Sequence, residues 1–224
     1  MISIGSSTSR ILAGIMVITG FHISCLAQSY VECAQIYKEE YKEVQFRVFE
    51  KKLSKTAGDS LLRVASGAFD SCINGKFPPE FVFAGKSGKV YTNQNLTGKI
   101  VMLNIWSVRC GPCIGEIPVL NKIARHYRGN DKFVLLSVLV ETEEQLSHIF
   151  DKFPTKRTID YEVIPTAKYI LKNDFQFLET YPTTLFLDQE GKVYARYIGG
   201  IVDPKYEEWL ETRYRAIIES RLKN

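Results

Sequence analysis

From Tyr30 to about Leu53 apolar side chains recur at Ala34, Tyr37, Tyr41, Val44 and Val48, the three-and-four spacing that lays one apolar stripe along a helix. The stretch EVQFRVFE inside it also alternates like a strand, which weakens the helical signal in its second half. TAGDS then interrupts the pattern, and Asp59 or Ser60 is expected to cap a second helix carrying Leu61, Val64, Ala65, Ala68 and Cys72. Two such helices predict a small appendage over residues 28–74.

From Phe81 onward the period shortens. FVF and KVYT flank the glycine-containing loop AGKSG, a pattern for two short strands. KIVMLNIW (99–106) and KFVLLSVLV (132–140) are apolar enough to be strands covered on both faces. A helix running from Cys110 to about Tyr127 joins them. TEEQLSHIFDKF predicts a further helix with Thr142 as its cap and acidic groups in the first turn, where the helix dipole favours them. YEVIPTAKYILKNDFQFLE reads as a short strand, a proline-marked loop and a small helix. TTLFLD, QEG and KVYARYI predict a hairpin with Gly191 in its turn. The final helix has Asp203 at its cap, Pro204 at its first position, and Trp209, Tyr214, Ile217 and Leu222 along it. The order β-α-β followed by ββα predicts an α/β domain with a mixed sheet and helices on both faces.

The chain has 224 residues, 45% hydrophobic and 24% charged, a globular composition with room for one full domain and an appendage. A net charge of +4 without basic runs interleaved with aromatics argues against nucleic acid as a partner. Ile11–Ser24 is an apolar stretch behind Arg10 and ahead of Ala27, the shape of a secretory signal over residues 1–27. An uncleaved membrane anchor through residues 11–24 and lipidation at Cys25 are the competing readings. Cleavage after Ala27 removes Arg10 and no acid, so the mature charge is +4 less one, or +3.

That cleavage also leaves four cysteines, Cys33, Cys72, Cys110 and Cys113. An even count in an exported chain suits an oxidising compartment such as the periplasm or another extracytoplasmic space. If two straight helices turned around residues 54–58, Cys33 and Cys72 would be offset by about 10 Å, too far for a disulfide. A bridge therefore requires the first helix to bend or stop near Val44 to Phe49.

CGPC follows directly on a buried strand. Cys110 at a helix start lies where unpaired N–H groups and the dipole stabilise a thiolate, and Cys113 is one turn further on the same side. Gly111 is expected to allow close approach, and Pro112 fits a first helical turn. Arg109 either favours the thiolate or points into solvent. Glu116, another turn on, either handles the proton of the second thiol or is a solvated helix residue. Pro118 is expected to kink the helix. Pro182, in YPTT at the start of a strand, is a candidate cis proline, with Tyr181 offering a backbone edge to a peptide.

Other chemistries fit less well. Zinc takes about four ligands, and Cys33 and Cys72 form no second close pair. His126 and His148 read as surface or packing residues. Cu(I) delivery by Cys110 and Cys113, or a purely structural disulfide, stays open.

LNIWSVRCGPCIGEIPVL, preceded by GKFPPEFVFAGKSGKVYTNQNLTGK and followed by YPTTLFLDQEGKV, resembles the thioredoxin-fold thiol-disulfide oxidoreductases of the TlpA/ResA-like kind. The likeness covers roughly Gly75 to the C-terminus. It implies Cys110 as the attacking cysteine, Cys113 as the resolving one, Glu116 as the acid beside them, Pro182 as the cis proline facing them and Trp106 as the aromatic ending the central strand. The family usually has Trp immediately before the first cysteine, where this chain has Arg109. The resemblance implies disulfide-bearing protein substrates, an upstream thiol or electron donor, and no bound cofactor. Gly111-Pro112 matches thioredoxin's spacer and leans towards a reductant, while Arg109 leans towards an oxidant. Oligomeric state is left open.

Overall fold

The computed structural model describes residues 29–141, 144, 158–165, 175 and 180–222. These fall into two compact units, one ending at Ile73 and the other beginning at Asn74. The leader expected over residues 1–27 with Cys25, most of the helix expected from Thr142 together with His148, and most of the small helix expected after Pro165 lie outside the described residues.

The first unit is a helical hairpin. Helix α1, Tyr30–Phe49, opens on a reciprocal cap in which the Glu32 amide donates to Ser29 Oγ and the Ser29 amide to the Glu32 carboxylate. Ala34, Tyr37 and Val44 of the expected stripe are buried. The helix stops before Leu53 because Lys51 turns left-handed (φ 56°). The amides of Lys51 and Lys52 then fold back onto the carbonyls of Val48 and Arg47, at 3.0 and 2.9 Å, closing the end without a glycine.

Helix α2, Lys55–Ile73, starts earlier than expected. Ser54 Oγ accepts the Ala57 amide at 3.2 Å, so Ser54 caps it, and Asp59 and Ser60 lie inside the helix. TAGDS is therefore no interruption: Gly58 is buried against α1, where a Cβ would meet Val48 Cγ2 at 2.5 Å. Val64 is 59% exposed, contrary to its expected place on the inner face; Phe69 fills the interior instead, stacked on Tyr37 at 5.0 Å. With the turn at residues 50–54, Cys33 stands 17 residues before it and Cys72 18 residues after it. The thiols come level, and a Cys33–Cys72 disulfide forms with 5.9 Å between the Cα atoms.

The second unit begins with the antiparallel hairpin β1 (Val82–Ala84) and β2 (Val90–Thr92). Its centre is a five-stranded sheet of β3 (Ile100–Trp106), β4 (Phe133–Leu139), β5 (Glu162–Ile164), β6 (Thr183–Leu187) and β7 (Val193–Ile198), in the order β5-β4-β3-β6-β7. β3, β4 and β5 are parallel; β6 and β7 are antiparallel to their neighbours. Every residue of the central strand β3 is buried, as a strand covered on both faces requires. Gly191, at φ 86°, closes the β6–β7 turn.

Helix α3, Gly111–His126, and helix α4, Glu207–Leu222, pack together over Ile100, Met102, Leu135 and Phe186. Asp203 and Pro204 open a short 3-10 turn that leads into α4. The buried face of α4 is Leu210, Tyr214 and Ile218, four residues apart, rather than one built on Trp209, which is 53% exposed. Pro118 is accommodated inside α3.

The sheet register sets the polar groups beneath α3. Asn104 of β3 lies opposite Ser137 of β4 and Thr184 of β6, and Thr184 lies opposite Tyr197 of β7. One row of polar side chains thus crosses the sheet beneath α3.

Candidate active site

The chain leaves β3 at Trp106 and reaches α3 through a loop held by its own polar groups. Ser107 Oγ donates to Glu141 Oε1 at 2.5 Å, and the Val108 amide donates to Glu141 Oε2 at 3.1 Å. The amides of Arg109 and Cys110 return to Ser107, at 3.1 Å each. Glu141 stands just past β4, so a carboxylate 31 residues downstream fixes the loop that delivers Cys110. Spacing gives no sign of this role.

Cys110 is the N-cap of α3: its Sγ accepts the Cys113 amide at 3.2 Å, and Pro112 occupies the first turn. Cys110 and Cys113 are joined by a disulfide. Their surroundings differ. Cys110 is partly open, whereas Cys113 is 2% exposed, packed with Trp106, Leu139 and Val163. The Tyr181–Pro182 bond is cis, and the carbonyl of Tyr181 lies 3.5 Å from Cys110 Sγ. Trp106, Cys110, Cys113 and Tyr181 thus belong to one cluster. Arg109 is exposed.

The close approach expected at Gly111 occurs elsewhere. A Cβ on Gly111 would enter open space, but one on Gly115 would collide with the carbonyl of Ile201, and one on Gly200 with that of Pro112. These glycines let the segment after β7 lie on the first turns of α3, where the Ile201 amide donates to the Pro112 carbonyl at 3.1 Å. The Gly199 amide donates to the Pro182 carbonyl at 3.0 Å. One short segment therefore ties the dithiol turn to the proline loop.

Glu116 is not a solvated helix residue. It is 1% exposed, with Tyr214 Oη donating to its Oε1 and Asn104 Nδ2 donating to its Oε2 at 3.3 Å. Asn104 Nδ2 also donates to Thr184 Oγ1 at 3.0 Å, and Thr184 Oγ1 lies 3.4 Å from Tyr214 Oη. The four side chains form a closed ring of hydrogen bonds. Burial lifts the carboxyl from its usual range to about 7, against the opposing pull of the Tyr214 and Asn104 hydrogen bonds. A carboxyl near neutrality takes up and releases protons at working pH.

A cysteine pair on a helix N-terminus, facing a proline loop on a sheet of this strand order, defines the thioredoxin-fold thiol-disulfide oxidoreductases. The chain belongs to the Redoxin family, whose model matches residues 73–210. It is 27% identical over 137 residues to the thioredoxin-like protein YneN of Bacillus subtilis, covering 61% of this chain and 78% of that protein. It is 28% identical over 142 residues to the thiol-disulfide oxidoreductase ResA of Bacillus cereus, covering 61% and 76%. Among solved structures, a candidate thiol:disulfide interchange protein DsbE from Chlorobium tepidum aligns with TM-score 0.51 at 25% identity over 65% of this chain and 97% of that one. The thioredoxin domain of thiol-disulfide oxidoreductase BVU-2223 from Bacteroides vulgatus, at 18% identity, shares the fold with TM-score 0.52 over 65% of this chain and 97% of that one. The chain is a thiol-disulfide oxidoreductase with a helical unit ahead of its thioredoxin fold.

Proposed function

We propose that Cys110 attacks and Cys113 resolves, in the reduction of disulfides carried by partner proteins. The observation that carries this assignment is the unequal burial of the two sulfurs: a partner disulfide can reach Cys110 but not Cys113. With the pair reduced, the Cys110 thiolate is favoured by the Cys113 amide and the dipole of α3. It attacks a partner disulfide, forms a mixed disulfide and releases one partner thiolate, which takes a proton from water. Cys113 then gives its proton to Glu116 and attacks Cys110 Sγ. The Cys110–Cys113 bond forms, the second partner thiolate leaves and is protonated, and two electrons have passed to the partner.

The Tyr181 carbonyl and the Pro182 loop beside Cys110 supply the edge along which a partner peptide lies. An upstream thiol or electron donor resets the pair. Gly111-Pro112 supports the reducing direction, and Trp106 and exposed Arg109 tune the pair.

An extracytoplasmic site of action, reached through a signal over residues 1–27, belongs to the same proposal. The Cys33–Cys72 disulfide supports it, because such bridges persist in oxidising compartments. Among the described residues no helix is long and apolar enough to cross a membrane. The appendage is assigned to residues 28–74 and the catalytic domain to residues 75–224.

The test is the equilibrium reduction potential of the Cys110–Cys113 pair in glutathione and dithiothreitol buffers. A value near about −270 mV, that of thioredoxin, supports a reductant; one near about −120 mV reverses the direction. A pair that does not equilibrate with either buffer contradicts catalysis and returns the dithiol to a structural or Cu(I)-binding role.

A further inference from the structure

The Glu116 ring contains two kinds of member. Asn104 contributes an amide whose N–H groups only donate, one to Glu116 and one to Thr184. Tyr214 and Thr184 contribute hydroxyls, which donate or accept according to how they rotate. At the Tyr214–Thr184 contact, 3.4 Å apart, either oxygen is able to be the donor. With Glu116 ionised, Tyr214 O–H points at the carboxylate and Thr184 O–H points at Tyr214. With Glu116 protonated, the carboxyl O–H points at Tyr214 Oη, and Tyr214 O–H turns to Thr184 Oγ1. With Glu116 protonated, Thr184 Oγ1 accepts from both Asn104 and Tyr214 while its own hydrogen turns out of the ring, so every oxygen and nitrogen that makes a ring contact keeps a partner in both states.

We infer that Tyr214 is the positioning residue of the proton step: its hydroxyl reverses between Glu116 and Thr184 as Glu116 gains and loses its proton, so that neither charge state is stranded. This inference rests on the proposed role of Glu116 and adds to it a residue from α4, 98 positions away in the chain. Tyr214 is fully buried, and its ring is fixed edge-on against Tyr197 at 5.4 Å and beside Phe186 at 5.7 Å. The ring is locked and the hydroxyl hydrogen is free to turn.

The groups around Glu116 suit such a device. Cys113 lies one turn back on its own helix. Tyr161, before β5, and Tyr197, on β7, interact electrostatically with the carboxylate, and Arg213 of α4 lies over the Tyr197 ring at 5.4 Å. Tyr161, Tyr197 and Tyr214 all have their ionisation pushed upward, first by burial, with the Glu116 carboxylate adding to it in each case and Arg213 opposing it at Tyr197. They stay protonated while Glu116 titrates.

The experiment tracks Glu116 directly by carbon-13 NMR of side-chain carboxyls in the oxidised protein, where the paired cysteines do not titrate. Its resonance is the one lost in Glu116→Gln. Tyr214→Phe removes the donor to the carboxylate and is expected to raise the titration midpoint by roughly one to two pH units, as loss of a charge-assisted bond requires. Thr184→Val removes the acceptor that Tyr214 needs when Glu116 is neutral, and is expected to lower the midpoint. Thr184→Ser keeps the hydroxyl and is expected to restore the original value. An unchanged midpoint in Tyr214→Phe, or an unchanged or raised one in Thr184→Val, overturns the inference. The rate of mixed-disulfide resolution in Glu116→Gln is read separately. A rate equal to that of the unaltered protein overturns the proton role of Glu116, whatever the ring does.

Discussion

Replacing Glu116 by Gln is expected to make the thioredoxin-fold unit more stable at alkaline pH, although it removes the side chain proposed to take the Cys113 proton. The folded carboxyl titrates at about 7 against an ordinary value of 4.5. Between those values the folded state holds a proton that the unfolded state has released. Stability contributed by the group is therefore fully present below pH 4.5 and is lost as pH rises through 7. At about 1.4 kcal/mol per pH unit, the interval from 4.5 to 7 costs about 3 kcal/mol. Gln mimics the protonated acid: its carbonyl accepts from Asn104, and its amide donates to Tyr214 Oη. The variant keeps the ring without the titration. Urea unfolding at pH 5, 6, 7 and 8 measures the difference, and the fluorescence of Trp106 and Trp209, the chain's two tryptophans, reports on this unit alone. The advantage of Gln over Glu is expected to grow by about 2.5 kcal/mol across that series, the remainder being already present at pH 5. Parallel stability curves for the two proteins would refute the claim that Glu116 is a buried carboxyl with a raised proton affinity.

Three more outcomes are set by the geometry. Replacing both Cys33 and Cys72 by Ala opens a closure across 39 positions; loop entropy puts the loss at about 4 kcal/mol, read as a lower urea midpoint for the helical hairpin by circular dichroism. Gly115→Ala drives a Cβ into the Ile201 carbonyl and is expected to cost on the order of 1–3 kcal/mol in unfolding experiments, with slower dithiol exchange. Glu141→Gln keeps the shape but weakens the clamp on Ser107 and Val108; the expected loss is about 1–2 kcal/mol of stability with the Cys110–Cys113 pair still formed, measured by the same unfolding assay and by thiol counting.

Much of the site was legible because it is local. CGPC behind a buried strand places one sulfur on a helix N-terminus and the other a turn later, and the structure has both there. The proline before β6 was legible as a candidate only, since nothing in YPTT itself reports how the bond is set. What could not be read depends on partners distant in sequence. Three-residue spacing puts Glu116 on the cysteine side of α3, but its burial depends on Asn104, 12 residues back, and Tyr214, 98 residues on. Glu141, Gly115 and Gly200 are invisible for the same reason: each matters through a loop that only the folded sheet brings near.

The appendage shows a different limit. Its helices were legible from period alone, but their turn was misplaced, because a buried Gly58 resembles a breaker and a left-handed Lys51 resembles any helix lysine. An error of a few residues in the turn moves the two thiols by several ångströms at about 1.5 Å per residue. That shift decides whether Cys33 and Cys72 meet.

The proposed chemistry stands most directly on the identity of the attacking sulfur. The decisive measurement is mass-spectrometric mapping of the adduct formed when Cys113→Ala is mixed with a disulfide-bearing polypeptide such as oxidised insulin. One mixed disulfide per chain is expected at Cys110, abolished by Cys110→Ala and failing to accumulate when Cys113 is present. No adduct on Cys110, or an adduct that builds up equally with Cys113 in place, would contradict the assignment.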